Sequence, residues 1–178
     1  MKAFAHSSLV LPLIAILALA GCASSASKDA MVARDVRLAK THDRTVAVKT
    51  AGGAETGAMD SSNIGDDDFK AAIETSITQS KAFKSVVQGK DADYDLAISL
   101  VHLDKPVFGM TFTVNLETAW VLVKQSDRSV VMKKSIRSSH SATFSDAAVA
   151  VTRLRLAVEG AARKNIEMGL KEVAALPL

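Results

Sequence analysis

Cysteine is scarce here, occurring once in 178 residues, as do tryptophan and tyrosine. One thiol cannot close an intramolecular disulfide, and a zinc–sulfur site takes two or more at close spacing. Aromatic side chains make up only 4% of the chain, which argues against a stacking platform for bases or sugars. An excess of one charge is missing as well. The 22 Lys and Arg residues stand against 19 Asp and Glu, a formal net charge of +3. No basic block is interleaved with aromatics, so nothing points to nucleic acid as a partner. The apolar run from Leu9 to Ala20 falls short of the roughly 20 residues that a membrane span requires. Pro12 further interrupts it as a helix.

What is present begins at the N-terminus. Met1 and Lys2 precede that short apolar run, which ends in small residues, the layout of a secretory signal. Leu19-Ala20-Gly21-Cys22 then resembles the lipobox of bacterial lipoproteins. In that family the cysteine thiol takes a diacylglyceryl group, a dedicated peptidase cuts before it, and the new amine is acylated. The resemblance implies that Leu19, Ala20 and Gly21 are read by the signal peptidase and that Cys22 carries the lipid. Two or more acyl chains hold a protein stably on a membrane where one does so only marginally. Ala23 follows the cysteine, not the aspartate that resembles an inner-membrane retention signal, so the expected location is the periplasmic face of the outer membrane. Loss of residues 1–21 removes only Lys2 among the charged residues and leaves a formal charge of +2.

Residues 23–29 are small and polar and read as a flexible tether. Residues 22–43 are expected to form the lipidated tether and arm, and residues 44–178 a single domain. Thr45–Lys49 is a strand candidate that runs into a glycine-rich loop, residues 51–57. Phe69, Ala72, Ile73, Ser76 and Ile77 recur at helical spacing and predict a helix from about Asp66 to Lys81, with Asp66, Asp67 and Asp68 at its start. A brief extended piece follows at residues 83–87. Three strand patterns come next. Tyr94, Leu96, Ile98 and Leu100 share one face, and Met110, Phe112, Val114, Leu116 and Trp120 share another. The third, from about Ser129 to Thr143, is polar, with Lys133, Lys134 and Arg137, and suits a sheet edge. Ser145 is expected to cap a long helix with Val151, Leu154, Val158, Ala161, Ala162, Ile166, Leu170 and Val173 on its apolar side. The order β-α-β-β-β-α predicts an α+β two-layer sandwich. Its sheet is an antiparallel meander, joined to the first strand by a right-handed crossover, with two helices on one face.

Residues of known chemistry are dispersed. His42, His102 and His140 lie in three separate segments, and no H-x-x-H or H-E-x-x-H pair offers two nitrogens to a metal. Asp91, Asp93 and Asp95 alternate like a calcium loop, but the twelfth position is His102 where a bidentate glutamate is needed. The 51–57 loop matches no phosphate-binding pattern, and no serine sits in G-x-S-x-G. No catalytic residue, metal or cofactor is therefore expected. Arg153, Arg155, Arg163 and Lys164 on the last helix are the remaining candidates, as contacts for lipid phosphates or an acidic partner.

Anchoring and element order together resemble small envelope lipoproteins of Gram-negative bacteria. These include the lipopolysaccharide-assembly lipoprotein that plugs an outer-membrane barrel and the auxiliary lipoproteins of lipid-transporting ABC systems. Leu103–Gly109, Ala142–Asp146 and Glu159–Ile166 are similar to a group of uncharacterised proteobacterial lipoproteins, which brings no activity with it. The expectation is a non-enzymatic envelope lipoprotein that acts by contact with an envelope protein, as adaptor or assembly factor. A lipid or glycolipid binder is the alternative, and an envelope acyltransferase a remote third, since the hexapeptide repeats of familiar enzymes of that type are absent. Replacing Cys22 with Ser should abolish metabolic incorporation of labelled fatty acid. A label that persists in the variant would refute lipidation.

Overall fold

The computed structural model describes residues 24–57, 60–89 and 91–178; the lipobox residues Leu19, Ala20, Gly21 and Cys22 lie outside these. Its elements in chain order are α1 (Lys28–Met31), β1 (His42–Ala51), α2 (Asp66–Ser80), β2 (Phe83–Val86), β3 (Tyr94–Asp104), β4 (Phe112–Lys124), β5 (Val130–Ala142) and α3 (Ala150–Ala174). The fold is α+β, an open five-stranded sheet with its helices on one face, as the hydrophobic patterns predict. Strand order is β2-β1-β3-β4-β5. β3, β4 and β5 form the antiparallel meander, and β1 pairs parallel to β3.

Three details depart from the sequence reading. Residues 83–86, an unassigned extended piece there, form a fifth strand parallel to β1 at the sheet edge. Four residues carry too little periodicity to declare a strand, and pairing is decided by the neighbour. Met110 is not part of β4: it is 73% exposed in the turn before Phe112. Ser145 does not cap α3. The chain first makes a turn in which the Asp146 carboxylate accepts from Thr143 N and Oγ1, and the helix starts at Ala150 without a side-chain cap. Val151, counted on the apolar side, is consequently exposed on the first turn of α3.

Alternation along β4 puts Phe112, Val114, Leu116, Thr118, Trp120 and Leu122 inward, and all are buried. Against them lies α3, whose Leu154, Val158, Ala161, Ala162, Ile166, Leu170 and Val173 are buried as its periodicity predicts. Two glycines set the closeness of this contact. A Cβ at Gly169 would lie 2.3 Å from Trp120 Cζ2, and one at Gly160 would lie 2.0 Å from His140 Cδ2. Between them Asn165, wholly buried, joins helix to sheet. Its Oδ1 accepts from Thr118 Oγ1 at 2.6 Å, and its Nδ2 donates to Ile136 O at 3.0 Å and Ser138 Oγ at 3.3 Å. Trp120 Nε1 donates to Thr118 Oγ1 at 2.9 Å, and Ser138 Oγ donates to Ala161 O at 2.8 Å. A polar group costs free energy in a core unless its partners are present. Here each one has them.

The α2 face is Phe69, Ala72, Ile73, Ser76 and Ile77, the predicted set. Its end is marked by Lys81 in the left-handed region (φ 55°), whose N–H returns to Ile77 O. At its start, the Asp66 carboxylate accepts from Gly53 N at 2.9 Å, which ties the glycine-rich loop to the helix.

Glycine-to-alanine changes normally favour a helix by up to ~1 kcal/mol. At Gly169 the immovable Trp120 ring reverses the sign, since overpacking costs typically about 1–3 kcal/mol. Gly169→Ala should therefore lower the urea midpoint, whereas Gly160→Ala should cost less because half-buried His140 can turn aside. An unchanged midpoint in Gly169→Ala would contradict this packing.

Candidate functional site

The four basic candidates on α3 do not form one stripe. Arg153 turns inward and is 4% exposed. Its Nη1 donates to Ala147 O at 2.8 Å and Ala148 O at 3.0 Å, and its Nη2 to Gly109 O at 3.2 Å. The guanidinium also lies over Phe112 (5.0 Å to the ring centroid) and Phe144 (5.7 Å). Three carbonyls and two aromatic faces thus surround one buried charge. They belong to the β3–β4 loop, to β4 and to the β5–α3 loop, so Arg153 fastens the two loops together. Periodicity alone places it on a helix flank. Nothing local in the sequence shows that two loops would close over it.

Arg155 and Arg163 face a different object, the segment that precedes β1. Arg155 Nη1 donates to Ser24 Oγ at 3.1 Å, and Arg163 Nη1 to Ala30 O at 3.0 Å. Between them Glu159, 4% exposed, accepts from Ser27 N at 2.9 Å and lies 3.8 Å from Arg155 Nε. On the other side Ala33 N donates to Ser76 Oγ of α2 at 3.0 Å, and Ala26 N to Asn63 O at 3.0 Å. Ala26, Met31, Val32 and Ala33 are buried in the core. Residues 24–33, which read as tether and arm because they are short of large apolar side chains, are therefore packed between α2 and α3. Small side chains suit a narrow groove between two helices as well as they suit a linker, and composition does not separate the two.

Lys164 reaches toward Ser139 O at 3.5 Å and, with Arg34, His140 and Arg163, lines a basic cleft of about 360 Å³. A larger cleft of about 590 Å³ opens along β2, with His42, Asp43, Ile77, Lys81, Phe83 and Lys84 in its wall. The three histidines lie apart. His42 Nε2 is 3.1 Å from Val173 O, and its ring packs on Phe83. His140 sits over Gly160 and His102 near Glu117. Among the described residues no three His, Cys, Asp or Glu side chains converge as metal ligands would. Two of the alternating aspartates are taken up by the protein. Asp93 accepts from Thr45 N and Oγ1, which holds its carboxyl below the usual range, and Asp95 pairs with Lys49 and Arg128.

Among the described residues the sheet's other face carries no helix. Ala47, Ala97, Ser99, Ala119, Val121 and Ser135 form its centre, placed side by side by the strand register. Two ion pairs flank them, Lys49–Asp95 at 3.4 Å and Arg137–Glu117 at 3.0 Å. The Glu117 carboxyl is held below its ordinary range by hydrogen bonds from Arg137 and Ser135. The central side chains of this surface are small, with Lys49 beside Ala97 and Lys133 beside Val121.

These features define a class of molecule, a one-sided α+β sheet domain with a packed N-terminal arm. Comparison with solved structures finds the same fold in a Xanthomonas campestris protein that carries the DUF330 family model. The TM-score is 0.60 at 13% identity, over 79% of this chain and 89% of that one. A hypothetical protein from Chlamydia trachomatis gives 0.58 at 8% identity, over 75% and 97%. Lipoprotein B from Nitrosomonas europaea matches at 0.47 and 15% identity, over 78% and 90%. At such identities the first two likenesses establish the fold and nothing more. No family model matches the chain, and no curated protein matches it.

Burial, together with Arg163 and Lys164, pushes the His140 pKa down, against the opposing pull of Asp146. In the unfolded chain a histidine titrates near ~6.5, so the unfolded state binds the proton more readily below that pH. The contribution of neutral His140 is complete above that value and is lost as pH falls through the lower folded pKa. Substituting His140 with Gln should therefore flatten the loss of stability between about pH 7.5 and 5, as read from urea midpoints. Parallel curves for parent and variant would contradict the shift.

Proposed function

We propose that this chain is a lipid-anchored envelope protein, attached through Cys22 at the periplasmic face of the outer membrane. There it acts without catalysis, through protein–protein contact on the helix-free face of its sheet. The observation that carries the reading is the make-up of that face. Small residues at register-matched positions give a surface that a second protein can approach closely, while the flanking ion pairs set orientation rather than affinity. A small ligand would need concavity with a few convergent polar groups.

The edges of the sheet fit the same reading. β5 bears Lys133, Lys134 and Arg137, charges of the kind that discourage further strand pairing, and β2 is four residues long. Contact is thereby steered from the edges to the face. The alternative of a lipid held between sheet and helices has less support. That interior is filled by Trp120, Leu116, Leu122, Ile166 and Leu170, each at most 1% exposed.

The test is a photo-crosslinking residue in place of Ala119 in cells that make the full-length protein. A discrete adduct is expected, and it should disappear when Val121→Glu is added. The same probe at Met168, exposed on α3, should not produce it. Absence of an adduct from position 119, or the same adduct from both positions, would overturn the proposal.

A further inference from the structure

Of the nine large apolar side chains exposed among the described residues, six lie in two loops or at the start of α3, and Val101, Val130 and Met168 lie elsewhere. Val107 (92% exposed), Phe108 (88%) and Met110 (73%) lie in the β3–β4 loop. Phe144, Val149 and Val151 lie in the β5–α3 loop and the first turn of α3. Both loops are at one end of the sheet, and the buried Arg153 fastens them to each other through Gly109 O, Ala147 O and Ala148 O. A buried charge has been used to hold together two loops that then present apolar side chains to the outside. Large apolar side chains gathered in this way at one end of a domain mark an interaction surface, and Val107 and Val151 already line one cleft.

The path of the chain identifies what that surface meets. Ser24, the first described residue, is bonded to Ser62, whose Oγ donates to Ser24 O at 2.9 Å. Ser62 O accepts in turn from Lys105 Nζ of the β3–β4 loop at 3.0 Å. Ser62 also lines one cleft with Val107, Phe112, Val151 and Leu154. The N-terminus of the packed domain therefore emerges beside the apolar end. Cys22 lies only two positions before Ser24, and at no more than about 3.6 Å per residue its Cα is within roughly 7 Å of Ser24 Cα. Acyl chains attached there would enter a bilayer next to the two loops.

We propose that this end of the domain is a membrane-docking tip. In it Val107, Phe108 and Met110 on one loop, and Phe144, Val149 and Val151 on the other, insert into the interfacial region of the bilayer that holds the lipid on Cys22. The inference rests on lipidation of Cys22 and adds an orientation to it. The sheet stands with its β3–β4 end down, and its helix-free face is turned sideways along the membrane instead of swinging on a long leash. Interfacial segments of this type bury their apolar face ~5–10 Å into the headgroup and acyl boundary.

The experiment uses the full-length lipidated protein in vesicles of phosphatidylethanolamine and phosphatidylglycerol, with and without brominated acyl chains. Two variants are compared. Phe108→Trp reports from the tip, and Val130→Trp reports from the β4–β5 turn at the opposite end, about 40 Å away along a 13-residue strand at ~3.3 Å per residue. The native Trp120 is fully buried in both, so the parent protein supplies its signal for subtraction. Bromines in the acyl region should quench the Phe108→Trp emission roughly twofold if the tip reaches the depth usual for interfacial segments, and leave Val130→Trp unchanged. No quenching in Phe108→Trp, or equal quenching in both variants, overturns the docking tip; an unquenched tip would assign the patch to a protein partner. The acyl label on Cys22 in the same preparation reports the anchor separately. Label without tip quenching rejects the orientation alone, and absence of label rejects the anchor whatever the quenching shows.

Discussion

The seating of α3 on β4 and β5 is the contact on which everything else in this structure depends. Gly169 lets the helix come down on the Trp120 ring, and Asn165 ties Thr118, Ile136 and Ser138 to it inside the core. Packing and hydrogen bonding reinforce each other here. A glycine without the asparagine would leave Thr118 and the Ile136 carbonyl short of partners, and the asparagine without the glycine would not come close enough to reach them. The resulting position of α3 is fixed in rotation as well as in distance. Its flanking residues are consequently aimed, and the aim decides what they do.

From that one helix three directions follow. Arg153 points into the end of the domain and closes two loops over itself. Arg155, Glu159 and Arg163 point to the side and receive the N-terminal segment. Lys164 points past the sheet edge toward β5. In this fold most of the charge is spent on internal attachment, and the surface left for outside contact is instead apolar at the loop end and lined by small side chains at the centre of the helix-free sheet face.

Much of the fold was legible beforehand, for reasons that can be stated. β4 alternates over its whole length, so its inward set follows from a period of two, and α2 buries the five residues that its 3.6-residue period selects. The polar character of β5 marked it as an edge, and it is one. Short elements were not legible. β2 has four residues and α1 has four, and each exists because a neighbour supplies its pairing or its groove. Ser145 satisfies the local rule for a helix cap, but Thr143 and Asp146 engage the same stretch in a turn, so α3 starts only at Ala150. Of the candidate site residues, Arg155 and Arg163 are at the surface and Arg153 is not. A helical wheel has no term for a loop folded over the helix end.

By itself the sequence determined the alternation of strands and helices, the side of each long element that is buried and the lipobox pattern at Leu19–Cys22. Each is a local matter of residue order, since periodicity and short motifs act within one segment. Only the tertiary structure decided that residues 24–33 pack between two helices, that Arg153 is interior, and that six large apolar side chains gather beside the emerging N-terminus. Those outcomes depend on segments more than thirty residues apart meeting in space. Their contact energies are set by geometry that no single segment carries.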